Sequence, residues 1–266
     1  MNSELKAFIF GMIGVSTVLA ALLVLVYRGE TGPIVAALAS RSPMLLTGSP
    51  DFSRFDGGFA ANILISLWAM LLAGIAGIAL GIALIAQSAL VRTPAVLVMN
   101  VLRNSPWLVV LYAMLYLLPF EIDAFGRTWF LSPTVKATIG LAFPVTANIA
   151  EVFRGGIEAI PSGQWESARS LGYRRLQILR HVIVPQALPL MTPNLMTTYA
   201  MLFIGSSLVV VTGAEDVLSV ARTVIGSDGA HLATAVYIYV LFLFFVFAFP
   251  IAIFTRWLER RVRVPT

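Results

Sequence analysis

Apolar residues gather in long uncharged runs along this chain, and the polar and charged residues sit between them. The runs cover residues 7–27, 59–91, 95–120, 131–151, 182–214 and 232–255. A hydrocarbon core about 30 Å thick is crossed by about 20 apolar helical residues, so each run predicts a membrane helix, six in all. The run at 59–91 is longer than a crossing needs, which implies a tilted or projecting helix. Arg103, Asn104, Ser105 and Pro106 interrupt the run at 95–120. Lys136 stands near one end of its run, where a long side chain is expected to snorkel to the surface. The first run is too long for the apolar core of a signal peptide, and Tyr27-Arg28-Gly29-Glu30 is no small-residue cleavage site, so it reads as a retained helix. Residues 29–58, rich in Gly, Ser and Pro, read as an external solvated linker.

Composition narrows the class. At 59% hydrophobic and 12% charged, with a mean hydropathy of +0.89, the chain has more apolar surface than a soluble domain can bury. That excludes a cytosolic enzyme, a secreted disulfide scaffold and a nucleic-acid binder, the last despite a pI of about 9.9. The basic residues instead report orientation. With both termini in the cytoplasm, Lys6, Arg92, Arg103, Arg154, Arg169, Arg174, Arg175, Arg180, Arg256, Arg260, Arg261 and Arg263 lie inside, twelve of the 18. Eight of the 13 acidic residues then fall outside. This is the positive-inside pattern. Cysteine is absent, His181 and His231 are the only histidines, and no P-loop, HExxH or GxSxG sequence occurs. No catalytic residue or metal ligand is assigned. A membrane-embedded enzyme is a poor alternative, and a passive channel leaves one loop unexplained.

That loop covers residues 151–185. Gly155 and Gly156 would let the incoming helix fray or bend, and Pro161 stops it. Ser162 is expected to cap a short helix over 163–171, with Gly172 in the left-handed position that ends it. A second short helix is expected over 174–184. On the first, Trp165, Ala168, Leu171 and Gly172 share one face; Glu166, Arg169, Ser170 and Tyr173 share its neighbour. Such a pair needs a surface to dock on, either another protein or the bilayer with Arg174, Arg175 and Arg180 at anionic headgroups.

Glu166-Ser167-Ala168-Arg169-Ser170-Leu171-Gly172, then nine residues, then Val182-Ile183-Val184-Pro185 resembles the EAA loop of ABC importer permeases: Glu-Ala-Ala, three residues, Gly, nine residues, Ile-x-Leu-Pro. Ser167 replaces the middle Ala, and Val the Ile and Leu. The flanks, Glu151-Val152-Phe153-Arg154-Gly155-Gly156-Ile157, Pro161-Ser162-Gly163-Gln164, Pro185-Gln186-Ala187 and Leu102-Arg103-Asn104-Ser105-Pro106, resemble the polar amino acid uptake branch. The likeness covers about residues 59–261. It implies an all-α integral membrane protein with a five-helix permease core (59–266) after an extra N-terminal helix and linker (1–58). It implies that the loop is a cytoplasmic coupling helix, with Glu166, Ser167, Ala168, Arg169 and Gly172 meeting an ATPase. The implied partners are an ATP-binding-cassette ATPase dimer holding ATP and Mg, a second permease subunit and an external solute-binding protein. No cofactor is expected on this chain, whose place would be a bacterial cytoplasmic membrane.

Substrate contacts are sought among polar residues within the runs: Asn62, Asn148, Ser206 and Ser207, with Asn194 and Thr197 among the further polar positions. To these are added the two ionisable groups Arg103 and Glu151, costly inside a membrane. Gly74, Gly77 and Gly81 read as a helix-packing strip. Relatives often have Lys-Asp-Thr-Ser-Leu where this chain has Ile204-Gly205-Ser206-Ser207-Leu208, and a Tyr where it has Asn148. The missing charged pair implies that a different polypeptide serves as the second permease. It also keeps open a non-amino-acid solute such as an opine.

Overall fold

The computed structural model describes residues 3–124 and 126–262. Arg263, counted above on the inner side, lies outside them. In chain order the elements are α1 (Ser3–Tyr27), α2 (Thr31–Thr47), α3 (Gly58–Leu84), α4 (Ala89–Asn104), α5 (Trp107–Leu117), β1 (Glu121–Ala124), β2 (Arg127–Phe130), α6 (Pro133–Glu158), α7 (Ser162–Ser170), α8 (Arg175–Ile178), α9 (Val184–Gly205), α10 (Val217–Asp228) and α11 (Ala233–Val262).

Among the described residues, four helices are long and apolar enough to cross a membrane: Phe8–Tyr27, Gly58–Leu84, Arg175–Thr212 and Ala230–Arg261. A fifth crossing is possible if α4 and α5, bent by 103° at Ser105-Pro106, act together. The helix at the fourth run, α6, carries Lys136, Glu151, Arg154 and Glu158 and is less apolar, yet it is the hub. It packs against α3, α4, α5 and α9, and Leu141, Val145, Ala147 and Ala150 are fully buried in it. Helices in lipid gain nothing from hiding apolar surface from one another, so they associate through close packing. A Cβ on Gly77 would lie 2.7 Å from Ile149 Cβ, and one on Gly81 2.7 Å from Phe153 Cδ1. Gly74 has open space instead, so the glycine strip packs at two of its three positions. At the far side, α1 runs antiparallel to α11. Phe8 stacks on Phe249, and Tyr27 Oη donates to His231 O at 2.7 Å at the opposite end.

Several expectations need correction. The run at 59–91 does not continue as one projecting helix: α3 ends at Leu84, and α4 starts at Ala89 after a tight connection. Residues 29–58 are not wholly a solvated linker, since α2 buries Ile34 and Leu45 against the body. An antiparallel hairpin, β1 with β2, interrupts the otherwise helical fold. Lys136 does not snorkel. Its side chain is fully buried, and Nζ donates to Leu118 O at 2.7 Å and Leu115 O at 3.2 Å, 3.2 Å above the Phe120 ring. The last carbonyls of α5 have no helical partner, and Lys136 satisfies two of them.

Gly155 and Gly156 do not fray α6, which runs on to Glu158; Gly156 sits where a side chain would strike Met191. Ser162 is the first residue of α7, and Pro161 takes the cap position. The second short helix does not stand alone. α8 passes through a π-helical turn (Leu179–Ile183) directly into α9. Pro185, Pro189 and Pro193 follow at four-residue spacing, the last two inside α9.

Candidate functional site

α7 ends in a Schellman arrangement. Tyr173 N donates to Ala168 O at 3.2 Å, Gly172 N donates to Arg169 O at 2.9 Å, and Gly172 has φ +83°. A side chain at 172 would be strained there, which accounts for the glycine. Ala168 is buried, packed with Ile178 and Ile183, so its face is turned to this chain's own body and not outward. Leu171, grouped with Ala168 by helical spacing, is 77% exposed because the helix has already ended. Glu166, Ser167, Arg169, Ser170 and Tyr173 form the outward surface. Among the described residues Glu166 makes no ion pair, not even with Arg169 one turn on. α7 therefore offers a carboxylate and a guanidinium with no partner among the described residues.

Between α6 and α9 run two adjoining hollows. One, of about 290 Å³, is lined by Arg103, Asn148, Glu151, Asn194, Thr197 and Thr198. The other, of about 250 Å³, continues past Glu151 and Asn194 to Gly155 and Gly156. Asn194, Thr197 and Met201 are exposed on this face. Arg103 and Glu151, distant in sequence, meet here with 3.9 Å between them. Glu151 is held more tightly by Arg154, through two hydrogen bonds of 2.9 and 2.6 Å, and Arg154 also reaches Glu158 at 2.6 Å. The bidentate pair fixes the Glu151 carboxylate at the wall of the groove.

Asn62 and Ser206 are elsewhere. Both are fully buried. Asn62 Nδ2 donates to Ser206 O at 3.1 Å and Ser206 Oγ at 3.2 Å, while its Oδ1 accepts from Val217 N at 3.0 Å. This amide ties α3 to the end of α9 and to the start of α10, and it lines neither hollow. Asp216, also fully buried, caps α10 by accepting from Ser219 N at 3.0 Å and Leu218 N at 3.3 Å. Burial raises its pKa, and those amides oppose the rise. Ser207 is half-buried and bonded to Ile204 O at 2.9 Å. Asn62→Ala removes a donor and an acceptor from this buried node. It is expected to cost about 1–3 kcal/mol, visible as a lower thermal midpoint in detergent.

The sequence marked Asn194 and Thr197 only as polar positions within the fifth run; the packing of α9 on α6 brings them to the groove. The sequence pattern of binding-protein-dependent transport system inner membrane components matches residues 73–264. The chain belongs to that family. As a binding-protein-dependent transport component it has curated relatives that are permeases. The glutamate/glutamine/aspartate/asparagine transport system permease protein BztC of Rhodobacter capsulatus is 32% identical over 94% of this chain and 56% of its own length. The inner membrane amino-acid ABC transporter permease protein YhdY of Escherichia coli is 32% identical over 70% of this chain and 50% of its own length. The chain thus spans about half the length of these two relatives. The probable glutamine ABC transporter permease protein GlnM of Bacillus subtilis is 28% identical over 80% of this chain and 94% of its own length.

The fold agrees. A crystal structure of an amino acid ABC transporter with histidines superposes with a TM-score of 0.65 at 24% identity, covering 77% of this chain and 92% of that one. An inward-facing methionine transporter, MetNI, gives 0.58 at 18% identity, covering 76% and 93%. The family and the apolar helices make this a multi-pass membrane protein of a transport system.

Proposed function

We propose that the chain is the membrane-spanning permease subunit of an ATP-binding-cassette importer for a polar amino acid or a related small solute. Six helices cross the bilayer in this reading: α1, α3, the bent pair α4–α5, α6, the helix from α8 through α9, and α11. Residues 59–266 form the permease domain, and residues 1–58 add α1 and the segment that follows it. α7 is the coupling helix, docked on a separate ATPase dimer that binds ATP and Mg. The observation that carries this is the outward Glu166 and Arg169 on a short helix closed by Gly172, at the spacing of the EAA loop.

Both termini and α7 are assigned to the cytoplasm of a bacterial inner membrane by the positive-inside pattern. The solute would pass along the groove of Asn148, Glu151, Asn194 and Thr197. In a single chain that groove is open on one side, which favours a second permease subunit closing it. The Ile204-Gly205 stretch favours a different polypeptide in that role. An external solute-binding protein would deliver the solute at the opposite end. ATP binding to the ATPases shifts the population between inward- and outward-open states, because ATP binds one state better.

Uptake into proteoliposomes holding the complete complex tests the reading. Labelled polar amino acids are expected to accumulate only with binding protein outside and ATP inside. Accumulation without ATP overturns it.

A further inference from the structure

At the end of the bundle that carries α7, a cleft of about 840 Å³ opens between α4, the last turns of α3 and α6, and the start of α7. Its apolar wall includes Leu84, Val96, Met99 and Ile157. Four guanidiniums line it, from Arg92, Arg103, Arg154 and Arg175, against two carboxylates, Glu151 and Glu158. Both carboxylates are already engaged by Arg154. Arg175 gives one N–H to Ile85 O at 2.8 Å and lies 5.6 Å over the Trp165 ring. Arg92 is exposed, and its guanidinium has no hydrogen bond or ion pair among the described residues. The cleft therefore has an excess of positive charge that this chain does not neutralise.

The setting of α4 says what kind of anion fits. Arg92 and Arg103 are eleven residues apart, three turns, and so share the face toward the cleft. On the opposite face Leu90, Leu97 and Val101 are 89%, 64% and 59% exposed. α4 is a basic amphipathic helix whose uncovered apolar side suits acyl chains and whose basic side flanks a half-apolar cleft. Guanidinium forks match phosphate oxygens bidentately, and basic pockets between membrane helices suit phospholipid headgroups.

We propose that the cleft binds the phosphate of an anionic phospholipid headgroup, with Arg92 and Arg175 as its cationic ligands and the Leu84–Met99 wall against the glycerol and first acyl carbons. A soluble phosphate shares the charge but has nothing to place on that wall. Trp165 of α7 forms the rim beside Arg175, so the bound lipid lies against the outward-facing helix. The site requires only a bilayer beside α4 and stands whether or not α7 docks on an ATPase.

Native mass spectrometry of the purified complex tests it, with phosphatidylglycerol, phosphatidylcholine or inorganic phosphate supplied at equal concentration. Phosphatidylglycerol is expected to be retained and phosphatidylcholine lost. Removing one charge with Arg92→Gln should weaken retention about fivefold and reversing it with Arg92→Glu about thirtyfold, at ~1 kcal/mol per charge. Arg92→Lys should retain the lipid. Arg222→Gln, on α10 at the other end of the bundle, should change nothing. Equal retention of the two lipids, or undiminished phosphatidylglycerol binding by Arg92→Glu, overturns the proposal. Displacement of the lipid by inorganic phosphate also overturns it, and would assign the cleft to a soluble phosphate.

Discussion

Glu166→Ala is expected to lower solute uptake about thirtyfold or more while leaving the amount and thermal midpoint of the protein unchanged. The stability half follows from α7 itself. Glu166 is exposed and unpaired among the described residues, and alanine suits a helix at least as well. Surface changes of this kind usually stay within about 0.5 kcal/mol. The transport half follows from docking. Truncating one member of a charge pair buried in an interface costs about 2–5 kcal/mol, largely because the partner charge is left unpaired. Uptake and ATPase activity of the reconstituted complex, read with a melt of the same preparation, separate the two halves. Wild-type uptake by Glu166→Ala would remove the coupling role from this residue.

Gly77→Val should be the most damaging change in the membrane-spanning body. The new Cβ would meet Ile149 Cβ at 2.7 Å and Thr146 O at 2.9 Å. The second contact is with backbone and cannot move aside alone. Overpacking a tight site costs about 1–3 kcal/mol, and the upper end applies where two helices must separate. A fall in thermal midpoint of about 6–12 °C is expected at about 2–4 °C per kcal/mol. Gly74→Val, three residues away in open space, should leave the midpoint nearly unchanged. An equal effect at both positions would mean that glycine serves α3 through backbone freedom and not through its contact with α6.

The contrast between those glycines shows where sequence patterning stops being informative. The membrane class was legible, and so were the runs that hold α1, α9 and α11, because charges bound them. α7 was legible because Pro161, Gly172 and Pro185 punctuate locally. The turn between α3 and α4 was hidden because the run at 59–91 contains neither charge nor proline, and Gln87-Ser88 alone marks the break. α2 was hidden because Gly32, Pro33 and Pro43 read as linker, although Ile34 and Leu45 lie on a face that packs. The burial of Lys136 and the bonding of Asn62 were hidden for one shared reason. Their partners are carbonyls and amides distant in sequence, 144 residues away for Asn62 and Ser206. At the site, the ion cluster was half legible: Arg103 and Glu151 were singled out, but their meeting required the α4 bend.

The prolines of α9 have a mechanical consequence. Each lacks the N–H that would bond four residues back, and at four-residue spacing Pro185, Pro189 and Pro193 place these gaps along a single side of the helix. The π turn at Leu179–Ile183 loosens the same stretch. Such a rod resembles a leaf spring, compliant in one plane and stiff in the plane across it. Its lower end is joined to α7 through α8, and Asn194 and Thr197 follow Pro193 in its middle turns. In the coupling role proposed for α7, force applied there would swing the α9 wall in the plane that the three prolines set.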